Sequence, residues 1–329
     1  MAYLTDLDHR LLDDWQRGFP VTPAPFSAIA CDLGVGVPRV IARLREMVAE
    51  GTVARVGATC RPNTVGVSTL AAIAAPEWQI DEMARIVGQE PGVNHSYLRE
   101  HDWNIWFVAT APDAEMLAAT LARIEARTGL PVLDLPLKRA FNVDLGFKLN
   151  GPRHGLRMGE GADTGAIQEG DRAILQALTD GLEITEEPYA ELARNLGRSE
   201  ADILARIRAL LDARIITRLG VIVRHRALGW RSNAMVVWKL PEERVPAAGH
   251  ALVNLPEVTL CYERRGTPEW DHTLFSMIHA KTRGEALAAV EKAAALPELA
   301  GASHQVLFSI RCFKQTGALL DRPKLEAAQ

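Results

Sequence analysis

The chain has few cysteines, and their spacing fits neither a metal site nor a disulfide framework. Cys31, Cys60, Cys261 and Cys312 are the only four in 329 residues, and no two of them form a CxxC pair. Zinc and iron–sulfur sites use closely spaced thiolates, and small secreted scaffolds use many cysteines. The sequence therefore predicts no metal centre built by the protein alone and no disulfide framework.

Long apolar runs are absent as well. No stretch reaches the roughly 18 apolar residues of a membrane helix, and the N-terminal MAYLTDLDHRLLDDW lacks the apolar core of a signal peptide. We therefore expect no membrane association and a cytoplasmic location. The net charge of −4 argues against a large nucleic-acid surface, and the length predicts two to four domains.

What the chain does contain is an internal repeat. A shift of 163 positions places Asp8 on Asp171 and matches the two copies over about 50 residues without a gap. Further matched pairs are Pro25 and Pro188, Leu33-Gly34 and Leu196-Gly197, Ala42-Arg43 and Ala205-Arg206, Arg45 and Arg208, Arg55 and Arg218, and Gly57 and Gly220. The copy is longer than a solenoid unit, so each half is predicted to be a set of domains. The chain is therefore a fused pseudo-dimer, and its active surface is expected where the halves meet or in a cleft that each half repeats.

The repeat divides the chain into five segments. Residues 151–169 are rich in glycine and lack apolar periodicity, so they are predicted to link the halves. The predicted domains are a winged helix-turn-helix at 1–62, a ferredoxin-like domain at 63–150, a second winged helix-turn-helix at 170–226 and a second ferredoxin-like domain at 227–329.

Each predicted helix-turn-helix has the same parts. In the first half, the helices Pro25–Cys31 and Val37–Glu50 flank a turn at Asp32-Leu33-Gly34, because apolar residues of the second helix recur every three or four positions. In the second half, the turn is predicted at Asn195-Leu196-Gly197. Val53–Cys60 and Ile215–Val223 are predicted to form the wings.

The rest of each half alternates between strand and helix patterns in the order β-α-β-β-α-β, which is typical of a ferredoxin-like domain. The predicted fold class is therefore α+β, a tandem repeat of a winged helix-turn-helix plus a ferredoxin-like domain. This architecture resembles that of the Lrp/AsnC transcription regulators.

Strings in both halves carry a further resemblance. They are Asn94-His95-Ser96-Tyr97-Leu98-Arg99-Glu100-His101-Asp102-Trp103-Asn104-Ile105-Trp106-Phe107, Arg224-His225-Arg226, Ala234-Met235-Val236-Val237-Trp238, Cys261-Tyr262-Glu263-Arg264-Arg265, Leu274-Phe275-Ser276-Met277-Ile278-His279 and Leu307-Phe308-Ser309-Ile310-Arg311-Cys312-Phe313-Lys314. With these strings the chain resembles the sirohaem decarboxylases, the Nir/Ahb proteins of haem d1 and alternative haem biosynthesis, with the D and L partners fused. It departs from the pattern at Trp103, where tyrosine is common, at Cys312, where an acidic residue is common, and at His272-Thr273, where Tyr-Asn is usual.

The resemblance implies an activity. A sirohaem decarboxylase is a carboxy-lyase that removes the carboxyl groups of two acetate side chains, giving 12,18-didecarboxysirohaem in haem d1 biosynthesis. No external cofactor is implied, because the substrate itself carries the iron. The resemblance leaves open whether other Nir subunits join the fused chain or whether it forms a homodimer.

Sirohaem is a flat polycarboxylate, so its site needs cations and aromatic walls. Arginine suits this task because its planar fork makes two hydrogen bonds to one carboxylate. The residues expected to bind substrate are Tyr97, Arg99, Trp103, Arg139, Arg224, Tyr262, Arg264, Arg265, His272, Arg311 and Lys314.

A proton must reach the new methyl group after carbon dioxide leaves. Histidine titrates near neutrality and is the first candidate for the donor. The candidates are His101, which is flanked by Arg99 and Trp103 at two residues' distance, and then His95 and His225. Neutral imidazole is also a good haem ligand, so the sequence leaves open whether histidine acts as the acid or ligates the substrate iron.

Two other functions stay open at this point. The helix-turn-helix is typical of a DNA-binding regulator, but basic residues in Val37–Glu50 and Ser199–Arg214 are offset by acidic ones, and neither segment contains Asn or Gln. Reading bases needs such side chains beside several phosphate contacts, so we expect no DNA binding. A tetrapyrrole-binding sensor would use the same pocket without chemistry.

Overall fold

Three helices form each helix-turn-helix unit. The computed structural model describes residues 4–142, 161–224 and 226–322. The helices are α1 (Asp6–Asp13), α2 (Pro25–Leu33) and α3 (Val37–Ala49) in the first half, and α6 (Asp171–Asp180), α7 (Pro188–Leu196) and α8 (Glu200–Asp212) in the second. Their inner faces share one apolar core, in which Leu12, Phe26 and Tyr189 are fully buried. The two units are therefore a single packed body.

The turn in each unit begins later than predicted. Helix α2 continues through Asp32 and Leu33 and ends at Gly34, where φ is 66°, and α7 ends in the same way at Gly197, where φ is 65°. Glycine adopts this left-handed conformation without a steric penalty. The turns placed at Asp32-Leu33-Gly34 and Asn195-Leu196-Gly197 were therefore wrong, because each helix runs up to its glycine.

Buried ion pairs account for two of the repeat-matched positions. Arg43 Nε lies 2.7 Å from Asp8 Oδ1, and Arg206 Nη2 lies 2.7 Å from Asp171 Oδ2. The Asp8 side chain is 1% exposed and that of Asp171 is fully buried. A carboxylate removed from water needs a paired cation, so the same pair recurs in both halves.

The wing strands pair with each other across the two halves. β1 (Val53–Cys60) and β6 (Ile216–Val223) form a two-stranded antiparallel sheet, here called the wing sheet, with Gly57 opposite Gly220. The two strands predicted as wings are thus present, and each unit contributes one of them to a shared sheet. A Cβ atom at Gly57 would lie 2.3 Å from the Leu178 carbonyl oxygen, so backbone packs directly on this sheet.

The two ferredoxin-like repeats close into one barrel. The first has β2 (Val67–Ile73), α4 (Ile80–Gln89), β3 (Val93–Arg99), β4 (Ile105–Ala111), α5 (Ala114–Thr128) and β5 (Leu133–Asn142). The second has β7 (Ser232–Lys239), α9 (Val245–Leu252), β8 (Val258–Arg264), β9 (Leu274–Ala280), α10 (Arg283–Ala294) and β10 (Ser303–Gln315). This confirms the predicted element order and the α+β class.

The last strand of each half joins the sheet of the other half. The barrel order is β10-β3-β4-β2-β5-β8-β9-β7, with β10 antiparallel to β3 and β5 antiparallel to β8. Both sheet edges of each repeat are thereby paired, and neither half is complete without the other. The predicted linker lies outside the described residues up to residue 160.

Apolar side chains pack on both faces of the barrel wall, against the helices outside and against each other inside. Helices α4 and α5 cover one sheet on the outside, and α9 and α10 cover the other. The inside is filled by side chains of the strands and of the β8–β9 loop, among them Trp106, Phe275 and Trp270. Since the middle of the barrel is packed, a large ligand must bind at one of its ends.

Among the described residues, no single helix has the length and apolar character needed to cross a membrane. The bent pair α2 and α3 meets that test together, by length and composition only.

Candidate active site

A cavity of about 310 Å³ lies between the wing sheet and one end of the barrel. Its wall on the wing-sheet side includes Arg55 and Cys60 of β1 and Arg218 of β6. The barrel contributes Ser68 of β2, Asn94 and His95 at the start of β3, Thr110 near the end of β4, and Gln315 at the end of β10. Both halves of the chain therefore build this one cavity, which is called the basic cavity below.

The charge of the basic cavity is positive. Arg55, Arg61 and Arg218 line it with His95, and no Asp or Glu occurs among the described residues of its wall. Arg55 Nε is buried without a hydrogen-bond partner, and burial lowers the pKa of this guanidinium. The charge of Asp180 offsets part of this effect, and a ligand that brings carboxylates would give the unpaired Nε an acceptor.

His95 is partly exposed, and it faces the basic cavity. Burial lowers its pKa to about 4, and the charge of Arg55 acts in the same direction. The imidazole is therefore neutral at pH 7 in this structure. An anion bound beside it would raise its pKa, since an opposite charge favours the protonated form.

A second hollow of about 370 Å³ adjoins the basic cavity at Gln315. Arg224 and Arg226, which follow β6, line it together with Cys312 and Lys314 of β10, and its described wall contains no acidic residue. Lys314 Nζ donates to the carbonyl oxygens of Gly88 (2.8 Å) and Glu90 (3.1 Å) at the end of α4. Its ammonium is thus held by the helix end, while the arginines supply the charge of this hollow.

Tyr97 lies beside both spaces. Its ring is nearly parallel to that of His95, with centroids 6.4 Å apart and an interplanar angle of 14°. Burial raises the pKa of Tyr97, the largest of several effects that include a hydrogen bond with the Cys312 thiol. The phenol therefore remains neutral and is a fixed wall next to the histidine.

The structure separates the predicted histidines. His101 lies beyond the other end of β3, six residues from His95, which corresponds to roughly 20 Å along an extended strand. Its Nε2 is 2.9 Å from Gln305 Oε1, its Nδ1 accepts from the Trp103 amide, and its ring contacts Trp270. His95 and His101 therefore cannot act on the same carboxyl group.

Of the other two predicted histidines, the structure describes one. His272 is buried near His101, with Nδ1 3.1 Å from Asp271 Oδ1, and it does not line the basic cavity. His225 lies outside the described residues. Within the described part of the chain, no group of three or more His, Cys, Asp or Glu is placed to hold a metal ion.

Arg99 and Arg264 lie inside the barrel in matching surroundings. Arg99 Nη1 donates to the Leu307 carbonyl oxygen at 3.1 Å, and Arg264 Nη1 donates to that of Leu135 at 2.8 Å. Each guanidinium lies over the tyrosine two residues before it, Tyr97 at 5.5 Å and Tyr262 at 4.5 Å. Each arginine thus ties its own half to the last strand of the other half.

Arg139 and Arg311 lie on the outer surface. Both side chains are about half exposed, Arg139 near Glu263 and Arg311 paired with Asp81, and each covers the phenylalanine two residues later. Arg265 is exposed in the β8–β9 loop, and Trp103 packs against the interior cluster of the barrel. These four residues lie outside both the basic cavity and the second hollow.

The structure therefore brings together only some of the predicted site residues. His95, Tyr97, Arg224 and Lys314 are at or beside the two spaces, and Arg55, Arg61, Arg218 and Arg226 join them without having been predicted as ligands. A signal for two of the missing residues was present, because Arg55 and Arg218 are matched by the repeat.

Family models match all four domains. The model of the AsnC-like ligand binding domain matches residues 64–142 and 227–314. The model of the siroheme decarboxylase NirDL-like HTH domain matches residues 8–53 and 171–216.

Similar proteins extend over nearly the whole chain. The siroheme decarboxylase NirDL subunit of Paracoccus denitrificans is 58% identical over 318 residues, which is 96% of this chain and 98% of that one. The siroheme decarboxylase NirD subunit of Stutzerimonas stutzeri is 43% identical over 150 residues, covering 46% of this chain and 99% of its own. The crystal structure of the siroheme decarboxylase NirDL superposes with a TM-score of 0.68, at 24% identity over 95% of this chain and 94% of that one, which supports the fold.

Proposed function

The chain belongs to the siroheme decarboxylase NirDL family, and from this premise we propose that it removes two acetate carboxyl groups from sirohaem. The product is 12,18-didecarboxysirohaem, an intermediate of haem d1 biosynthesis. The fused chain supplies the parts that the D and L subunits supply separately, since its two halves close one barrel.

The observation that carries this proposal is the charge of the two adjoining spaces. Five arginines line them, and no Asp or Glu belongs to their described walls, so both spaces are positively charged. A macrocycle with many carboxylates matches this positive charge, and the apolar wall residues Val108 and Ile222 suit its flat faces. A DNA backbone has no comparable access, because the cations lie between the wing sheet and the barrel.

The helix-turn-helix units have a structural role in this proposal. Arg45 Nε donates to the Ile184 carbonyl oxygen at 3.0 Å, and the repeat-matched Arg208 donates to that of Val21. Arg43 and Arg206 are held by Asp8 and Asp171. Arg45 and Arg208 thus join the two units to each other, whereas the other two arginines stabilise the unit to which they belong. The shared wing sheet covers the basic cavity.

We assign the proton donor as His95. In each decarboxylation the bond between the acetate methylene and the carboxyl carbon breaks, carbon dioxide leaves, and the electron pair stays on the methylene and in the pyrrole. A proton then converts the methylene to a methyl group. The substrate carboxylates raise the pKa of the neutral His95 on binding, so the imidazole takes up a proton next to the reacting group.

The arginines act by holding the substrate. Arg55 and Arg218 on the wing sheet and Arg224 and Arg226 in the second hollow bind carboxylates that do not react. This anchoring leaves one acetate beside His95, where the wall is partly apolar. A carboxylate that accepts few hydrogen bonds is less stabilised than a solvated one. It therefore loses carbon dioxide more readily.

The test is anaerobic incubation of the full chain with sirohaem, followed by mass spectrometry of the extracted tetrapyrrole. We expect the loss of two carbon dioxide units, about 88 Da, as a doubly decarboxylated product requires. Bound sirohaem of unchanged mass would overturn the enzymatic proposal in favour of a tetrapyrrole-binding protein. No binding at all would remove the basic cavity as the sirohaem site.

A further inference from the structure

Four wall positions of the basic cavity have counterparts in the second half that do not line this cavity. The strand registers equate Ser68 with Asn233, Asn94 with Thr259, His95 with Leu260 and Thr110 with His279. All four residues of the first half line the basic cavity. The counterpart of the histidine is a leucine, so the second half lacks the proposed proton donor.

Three of the four counterparts form a buried hydrogen-bond network. His279 is 3% exposed; its Nδ1 is 2.7 Å from Thr259 Oγ1 and its Nε2 is 2.6 Å from Asn233 Nδ2. Thr259 Oγ1 donates to the Met277 carbonyl oxygen at 3.0 Å. The threonine hydroxyl therefore accepts from His279 Nδ1–H, and the amide of Asn233 donates to His279 Nε2.

The network continues into the first half through Arg99. Asn233 Oδ1 accepts from Arg99 Nη1 at 3.3 Å and from Ser309 Oγ at 3.1 Å. Arg99 is 5% exposed, and its Nη1 also donates to the Leu307 carbonyl oxygen at 3.1 Å. The position of this buried cation thus depends on two acceptors, and both belong to the second half.

Arg99 is the first of three side chains stacked along β3. Its guanidinium lies 5.5 Å from the Tyr97 ring centre, and the Tyr97 ring is nearly parallel to the His95 imidazole at 6.4 Å. Alternate residues of a strand share one face, which is why residues 95, 97 and 99 form a column. The second half repeats the column as Leu260, Tyr262 and Arg264, without an imidazole at its end.

We propose that Asn233, Thr259 and His279 of the second half, here called the brace, hold the histidine of the first half in position. In this assignment, which rests on the proposed function, Asn233 and His279 are positioning residues that act on His95 through Arg99 and Tyr97. A buried network with paired donors and acceptors specifies one arrangement of its members, because any other arrangement leaves a polar group unpaired. The brace fixes the plane of the imidazole against the reacting acetate.

The test compares Asn233→Leu with Ser276→Ala in the full chain. Leucine is close to asparagine in size and removes the acceptor of Arg99. Ser276 is buried on the neighbouring strand β9, where it accepts from Trp238 Nε1 at 3.0 Å, so its substitution removes a buried hydrogen bond that does not lead to Arg99. The matched pair separates the brace from a general loss of buried hydrogen bonds.

We expect Asn233→Leu to lower kcat about tenfold or more while the Kd for sirohaem stays near the wild-type value, since a misplaced acid affects chemistry before binding. Ser276→Ala is expected to keep the wild-type kcat. Asn233→Asp retains an acceptor for Arg99 and should recover most of the activity that Asn233→Leu loses. An unchanged kcat in folded Asn233→Leu, or an equal loss in Ser276→Ala, would overturn the proposal.

A second readout does not depend on turnover. Diethyl pyrocarbonate modifies neutral imidazole, and peptide mass spectrometry gives the rate at His95 in the protein without sirohaem. Asn233→Leu should change this rate, and Ser276→Ala should leave it unchanged. If the wild-type chain makes no product, the proposed function fails while this rate still decides whether the brace exists; an unchanged rate in Asn233→Leu would reject the brace itself.

Discussion

Arg55 and Arg218 occupy the same position in the two copies of the repeat, yet both line one cavity. Their strands cross antiparallel, with Gly57 opposite Gly220 at the centre, so a symmetric sheet covers one barrel end that is not symmetric. The symmetry is broken beneath the sheet, where the first half has His95 and the second has Leu260. The histidine of the basic cavity therefore has no counterpart at the matching position of the second half.

Removal of a cavity arginine should weaken substrate binding. We expect Arg55→Ala to raise the Kd for sirohaem about tenfold, since a hydrogen bond to a charged group contributes roughly 1.5–3 kcal/mol. Anaerobic titration followed by absorbance measures this Kd. The control is Arg311→Ala, which removes an exposed arginine paired with Asp81 outside the cavity. A Kd that rises equally in both variants would mean that Arg55 contributes only to net charge.

The two histidines of β3 and its loop should differ in importance. His95→Gln is expected to lower turnover at least about a hundredfold, which is within the range that a positioned general acid contributes. His101→Gln should stay within a few-fold of wild type, because His101 lies at the other end of the strand and bonds to Gln305. Single-turnover kinetics with bound sirohaem gives both values. The opposite ranking would move the reaction to the other end of the barrel.

If His95→Gln retains turnover but shifts the absorbance spectrum of bound sirohaem, the imidazole is an iron ligand. A proton donor alone would leave that spectrum unchanged, because it does not touch the metal. The spectrum and the rate together therefore distinguish the two roles.

The lowered pKa of His95 predicts a pH-dependent stability. The unfolded chain binds a proton at this residue below about pH 6.5, while the folded chain does not until about pH 4. Acidification through this window therefore favours unfolding, and the free energy of unfolding falls as pH decreases. Urea unfolding between pH 7 and 4 should show a shallower decline for His95→Gln than for wild type. Parallel curves would show that His95 titrates normally in the folded protein.

The buried ion pair of the second unit should matter to stability. Asp171→Asn leaves Arg206 without its carboxylate, and we expect a loss of about 3 kcal/mol in the free energy of unfolding. Urea unfolding measures it. Asp14→Asn removes one partner of the exposed pair with Arg10, for which a change below about 1 kcal/mol is expected. Similar losses in the two variants would contradict the role of burial.

The matched glycine of β6 should not tolerate a side chain. A Cβ atom at Gly220 would lie 2.4 Å from the Gln16 carbonyl oxygen, so Gly220→Ala must displace backbone and is expected to destabilise the chain by about 1–3 kcal/mol. Gly88→Ala, within α4 and with nothing within 4 Å, should instead be neutral or stabilising. Thermal unfolding of the two variants tests the contrast. An equal Tm for both would show that the wing sheet can move away from the helix units.

The amino-acid sequence alone determined the element order and the pseudo-dimer. Helix and strand periods are local, so α3, α5 and the eight barrel strands could be placed from short windows. The repeat indicated that Asp8, Arg43, Arg55 and Gly57 have the same role in both halves as their counterparts, but it did not indicate what that role is.

Only the tertiary structure decided which strands pair between the two halves and which side chains lie close together. The pairing of β1 with β6 and of β10 with β3 joins residues more than 150 positions apart, and no local pattern encodes a partner at that distance. Register shifts in β3 and β10 change which face a residue occupies, so Arg99 is buried in the barrel while Arg311 lies on the surface. His95 and His101 look equivalent in the sequence string, and they are separated because an extended strand carries them to opposite ends of the barrel.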